Sequence, residues 1–161
     1  MNALPLLVLF VTAFVDMIGL TMVIPLLPYY ATDFGAGATM IGVLISAFSI
    51  AQLAVAPSWG RFSDRYGRRP AILAGLLLTA VAYVLFALAG SIVALLVSRL
   101  IQGTGGGTIG VVQAYVADVS KPKQRTKSLG WLSVVTSMGA VAGPAFGSAM
   151  ISLGGRRAPG L

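Results

Sequence analysis

Five stretches of roughly twenty or more residues, at 4–30, 40–59, 71–89, 92–118 and 128–153, are built almost wholly from apolar and small side chains. A bilayer's hydrocarbon core is about 30 Å thick, and about 20 apolar residues cross it as a helix. Each stretch meets that length. A helix also satisfies its backbone N–H and C=O groups within the crossing segment, which an isolated strand cannot do in lipid. The pattern therefore predicts an all-α membrane protein in which 161 residues form a single transmembrane unit of five helices. Only 9% of the residues are charged, against about 25% in a soluble domain, so a water-facing surface cannot be built from this chain.

The 11 basic residues outnumber the 4 acidic ones, yet their placement argues against a nucleic-acid partner. Most fall in short gaps between apolar runs, not along a groove or stripe. Arg61, Arg65, Arg68 and Arg69 share the gap after the second span with Asp64, and Lys121, Lys123, Arg125 and Lys127 fill the gap after the fourth. The gaps after the first and third spans hold no basic residue. Positive loops stay inside, so the chain is expected to be a multi-pass protein of the cell (inner) membrane with its amino terminus in the cytoplasm. Arg156 and Arg157 then fall outside, against the rule, as expected if further sequence normally follows. The first span is unlike a cleaved signal peptide: it is too long, lacks a preceding basic residue and carries Asp16 in its middle.

Nothing predicts an enzyme, a cofactor or a metal. With no cysteine and no histidine, the usual zinc ligands and the Ser-His and Cys-His pairs are missing. The glycines at 103 and 105–107 lack the Lys-Ser/Thr pair of a phosphate loop. Asp16 alone lies at depth, so no facing pair of intramembrane aspartates exists for proteolysis. Its depth is twelve residues into the first span, roughly 18 Å. Intramembrane ionisable groups are costly and by default functional, and a carboxyl group that takes up and releases a proton suits a proton-coupled carrier. The alternative is a buried neutral acid, or one that caps a neighbouring helix. Arg99 lies about 10 Å into the fourth span. At 100° per residue Gly106, Gly110 and Gln113 fall within about 40° of it, a face resembling the lining of a polar cavity. Snorkelling to the interface is the other outcome for Arg99. Gln52 and Gln113 are candidate cavity-lining residues. Ala47, Ala51 and Ala54 form a small-residue row for close helix contact, and Gly139, Gly143 and Gly147 form another in the fifth span. Pro144 adds a bend.

Four motifs in order resemble the amino-terminal half of a major facilitator superfamily transporter, nearest to the drug:proton antiporters of the tetracycline-resistance type. Phe14-Val15-Asp16-Met17-Ile18-Gly19 with Ile24-Pro25-Leu26-Leu27-Pro28 is similar to the first-helix motif. Gly60, Asp64, Arg65, Gly67, Arg68 and Arg69 match the loop motif between helices two and three. Leu95, Arg99, Gln102, Gly103 and Gly105 resemble the fourth-helix motif. Gly130, Gly139, Gly143, Pro144 and Gly147 resemble the fifth-helix antiporter motif, with Ser148 where a second glycine is usual.

The resemblance implies an incomplete six-helix half of a twelve-helix carrier, the carboxyl-terminal half being absent and a sixth helix approached at residues 155–159. It implies a proton-coupled exporter of a drug or small organic compound that works by alternating access and draws on the proton gradient. Asp16 and Arg99 would serve proton coupling. Asp64 with its arginines would form a cytoplasmic gate, with Asp118 placed to pair with Arg65 or Arg68. Expected partners are the lipid bilayer, protons, a small-molecule substrate and the missing half. A proton symporter for a sugar or organic ion, and a non-transporting five-helix scaffold or regulatory protein, are the alternatives.

Overall fold

A computed structural model describes residues 3–154, so Arg156, Arg157 and the approach to a sixth helix lie outside the described residues. Six α-helices follow one another: α1 (Ala3–Asp33), α2 (Ala38–Tyr66), α3 (Arg68–Ala87), α4 (Ile92–Gly106), α5 (Ile109–Val119) and α6 (Arg125–Gly154), with a 3₁₀ turn at Pro122–Gln124. Among the described residues there is no strand. Five stretches are long and apolar enough to cross a membrane, with α4 and α5 together forming the fourth. The protein is thus an all-α, multi-pass membrane protein. Leu53, Leu77, Leu88, Val93 and Val141 are exposed, as side chains are when lipid and not water surrounds them.

The helices outrun the apolar stretches. Helix α1 continues through Pro25 and Pro28 to Asp33, past the expected end at residue 30. Helix α2 was expected to end at residue 59 but runs on through Gly60, Arg61, Asp64 and Arg65 to Tyr66. Charge marks where a span meets water; it does not end a helix, because arginine is a good helix former. The segment between α2 and α3 is therefore a joint at Gly67, not an open loop. Gly67 has φ +97°, a backbone region that side-chain-bearing residues avoid. The Gly67 N–H still bonds to Ser63 O at 2.9 Å.

The fourth span departs most from expectation, since it is two helices. Thr108 marks the break: both its N–H (3.3 Å) and its hydroxyl (3.0 Å) donate to Gly105 O. The face expected to run from Arg99 through Gly110 and Gln113 requires one continuous helix, which the break interrupts. Gly106 is buried, but Gly110 and Gln113 lie beyond the break and are exposed. Helix α4 starts from a conventional cap, with Ser91 Oγ accepting from Ala94 N–H at 3.2 Å.

The chain divides into two compact units. One holds the residues up to Leu27 together with those from Val112 onward, and the other runs Pro28–Val111. In the latter, α4 packs against both α2 and α3.

Candidate functional site

In the unit formed by Pro28–Val111, the charged joint closes on itself. Arg68 Nη1 bonds Asp64 Oδ1 at 2.9 Å across Gly67. It also donates to the buried Ser63 hydroxyl at 2.7 Å. Sequence reasoning assigned Asp64 and Arg68 to a gate but missed Ser63, whose hydroxyl anchors the arginine to the helix. The Asp64 side chain is 69% exposed and that of Arg68 28%, so the ion pair orders the joint more than it stabilises the fold. Arg65 stacks over Tyr66 with Cζ 5.4 Å from the ring centroid.

An aromatic ladder leads inward from the joint. Tyr66 contacts Phe62 at 4.9 Å between centroids, and Phe62 meets Trp59 edge-on at 5.8 Å. Trp59 Nε1 then donates to Thr104 O at 2.6 Å. Two turns further along α2, Gln52 Nε2 donates to Gly106 O at 3.0 Å. These two donors, with Thr108, occupy carbonyls at and beside the α4 break. Unsatisfied carbonyls inside a membrane are expensive, which explains why a tryptophan and a glutamine stand on this face of α2. Gln52 is thus engaged with the break, a role its expected place in a cavity wall did not anticipate.

The glycines of the fourth-helix motif allow this contact. A Cβ on Gly103 would run into Phe48 O and lie 2.8 Å from Ala51 Cβ. On Gly105 it would lie 2.9 Å from Gly75 O and 3.0 Å from Thr79 N. Ala47 and Ala51 of the small row are buried, whereas Ala54 is exposed.

Arg99 does not snorkel. It is 5% exposed, with Cζ 5.1 Å from the Phe86 ring centroid, and Phe86 in turn meets Tyr30 edge-on at 5.3 Å. Gln102, one turn on, is 1% exposed. Tyr83 lies within electrostatic reach of Arg99.

The other unit contains the remaining motifs. The glycines of α6 form a flat ridge on α1. A Cβ on Gly139 would lie 2.8 Å from Phe14 O, one on Gly143 would lie 2.7 Å from Ile18 O, and one on Gly147 would strike Met22 O. Thr21 closes the seam, its hydroxyl donating to Met17 O at 2.8 Å and approaching Gly139 O at 3.4 Å. Pro144 continues within α6 beside this ridge. Gly130 does not join it, because nothing lies within 4 Å of a Cβ placed there. Nine residues before Gly139 put it on the opposite side of the helix at 100° per residue. Asp16 is half-buried on α1 and makes no ion pair among the described residues. Asp118 is exposed near the end of α5. There Arg125 Nε donates to Ala117 O at 3.1 Å, placing a cation where the helix dipole favours one. Among the described residues no group of acids, histidines and cysteines could hold a metal ion.

A family model, the Major Facilitator Superfamily, matches residues 9–161. The quinolone resistance protein NorA of Staphylococcus aureus (strain MRSA252) is 33% identical over 150 residues, which cover 92% of this chain and 39% of that protein. The class B tetracycline resistance protein of Escherichia coli is 34% identical over 140 residues, 85% of this chain and 35% of that protein. The crystal structure of the human organic anion transporter MFSD10 (TETRAN) superposes with a TM-score of 0.78 at 30% identity, covering 96% of this chain and 42% of that one. The chain therefore spans well under half the length of each of these relatives.

Proposed function

Because the chain belongs to the major facilitator superfamily, we propose that it supplies the amino-terminal helices of a proton-coupled exporter of drugs or small organic compounds. The carrier's second half lies outside this sequence. Alternating access in such carriers rocks one helical bundle against another around a site near the bilayer midplane. The supporting observation is the α1–α6 seam, in which Gly139, Gly143 and Gly147 seat directly on the backbone of the helix that bears Asp16. A flat seam lets two helices slide or tilt without unlocking interdigitated side chains. Protonation of Asp16 biases one state of the carrier, and proton release accompanies export; no cofactor is used beyond the proton gradient. Arg99 serves the same coupling, and the Asp64–Arg68 joint serves the gate on the cytoplasmic side of the cell membrane, with Asp118 as a further gate residue.

Likeness to a quinolone and a tetracycline resistance protein supports a drug as cargo. The test uses everted membrane vesicles holding the intact two-half carrier that contains this sequence. Addition of tetracycline or a quinolone is expected to collapse an imposed pH gradient, and Asp16→Asn is expected to abolish that response while the carrier still reaches the membrane. Undiminished exchange by Asp16→Asn refutes the role of Asp16. Substrate movement in the same direction as the proton refutes export in favour of symport.

A further inference from the structure

Buried polar atoms in a membrane span need partners, and α4 carries four that have none among the described residues: Nε and Nη2 of Arg99, and Nε2 and Oε1 of Gln102. The two residues stand three apart on one helix and share its face. Nε and Nη2 are the two nitrogens of a single guanidinium edge, with N–H bonds running side by side. That edge grips a carboxylate through two hydrogen bonds at once. Phe86 covers a face of the same group, so an occupant approaches in the guanidinium plane and presents two adjacent acceptors.

Charge narrows the choice. Water satisfies the N–H groups but leaves a buried cation without a counter-charge, which is heavily penalised in a low dielectric. A phosphate group brings up to two negative charges, whereas Arg99 is the only charged residue between residues 71 and 117. A carboxylate brings one. The Gln102 amide adds a third donor, and the buried Phe86 and Leu95 with the Tyr30 ring give the neighbourhood an apolar character. We propose that the Nε–Nη2 edge of Arg99 and the amide of Gln102 form a carboxylate-binding site, and that the cargo includes monoanionic organic acids. The second clause rests on the exporter function proposed above; the binding itself does not.

The test uses the 161-residue chain, labelled with ¹⁵N-arginine and reconstituted in lipid nanodiscs, with the Arg99 Nε–H resonance assigned by Arg99→Lys. Sodium acetate and sodium benzoate are expected to shift that resonance saturably. Acetamide, benzamide and sodium chloride at matched ionic strength are expected to leave it in place. Gln102→Leu should weaken benzoate binding about tenfold, the worth of one charge-assisted hydrogen bond. Gln102→Glu supplies a carboxylate from within and should abolish the response to benzoate; this near-isosteric variant carries the test if Arg99→Lys does not fold. Three results overturn the site: no shift with either carboxylate, an equal shift with chloride, or a response to benzoate that emerges only after Asp16→Asn, which identifies the chain's own carboxylate as the occupant. Saturable benzoate binding with no proton-coupled export by the intact carrier would instead overturn the exporter function and leave the site standing.

Discussion

Replacement of Gly143 by alanine tests whether the α1–α6 seam depends on backbone contact. An ideal Cβ there would lie 2.7 Å from Ile18 O and 2.9 Å from Met22 N, and would also strike the Thr21 hydroxyl. Carbon contacts are comfortable at about 3.5 Å, so α6 must retreat from α1 by roughly 0.5–1 Å. Thr21 can turn aside, at the loss of its hydrogen bond to Met17 O, worth about 1 kcal/mol. The two backbone atoms cannot turn. A radial gap of 0.5–1 Å forfeits about a quarter to a half of each neighbouring contact, and the glycines on either side along the ridge, Gly139 against Phe14 and Gly147 against Met22, share that loss. Overpacking by one methyl costs about 1–3 kcal/mol, which with the lost hydrogen bond gives a destabilisation of about 2–4 kcal/mol. No hydrophobic force between helices compensates in lipid. The assay is SDS titration of the chain in mixed micelles, followed by helical ellipticity. Gly130→Ala, with nothing within 4 Å, is the control and should be neutral or slightly stabilising, since alanine is the better helix former. Equal stability of Gly143→Ala and the parent chain refutes the seam. Full recovery in Thr21→Ala/Gly143→Ala would show that a side chain, not the backbone, sets the approach.

Three further outcomes are expected. Trp59→Phe keeps an aromatic side chain but replaces the indole by a smaller phenyl and removes the N–H bonded to Thr104 O, a hydrogen bond worth about 1–2 kcal/mol; in this cysteine-free chain, maleimide labelling of Thr104→Cys should speed up roughly tenfold, and an unchanged rate means that the bond does not hold the break. Gly67→Ala forces a side chain into φ +97° and should lower stability by about 1–2 kcal/mol, measured in the same SDS titration. Asp64→Asn removes an exposed ion pair and should change stability by less than about 1 kcal/mol while impairing export by the intact carrier; a loss of several kcal/mol would show that the joint holds the fold itself.

Apolar run length made the five crossings legible, because lipid tolerates little else. Helix ends were not, since residues 60–66 are charged yet helical and composition reports the water boundary instead. The glycine run at 105–107 gave permission for a break but not its position, which is set by Thr108 locally and by Trp59 and Gln52 from another helix. Arg99 was recognisable as an intramembrane cation, whereas its burial against Phe86 depends on α3 and leaves no trace in the local sequence. The separation of Gly130 from the glycine ridge was readable from helical phase alone, had the nine-residue spacing been taken at 100° per residue.

Helix α2 has 29 residues, about 44 Å at 1.5 Å each, against a hydrocarbon core of about 30 Å. Even tilted, it projects as a stiff stalk. Pro57 lies within it, a position where helices bend, and the ten residues from there to Gly67 form an arm about 15 Å long. A swing of only 10° at Pro57 would carry the arm's tip by about 2.6 Å on that length, taking Arg61 and Arg65 with it. Trp59 sits almost at the pivot, bonded to α4, so a small strain near the helix-four break becomes a displacement of whole charged groups at the far end.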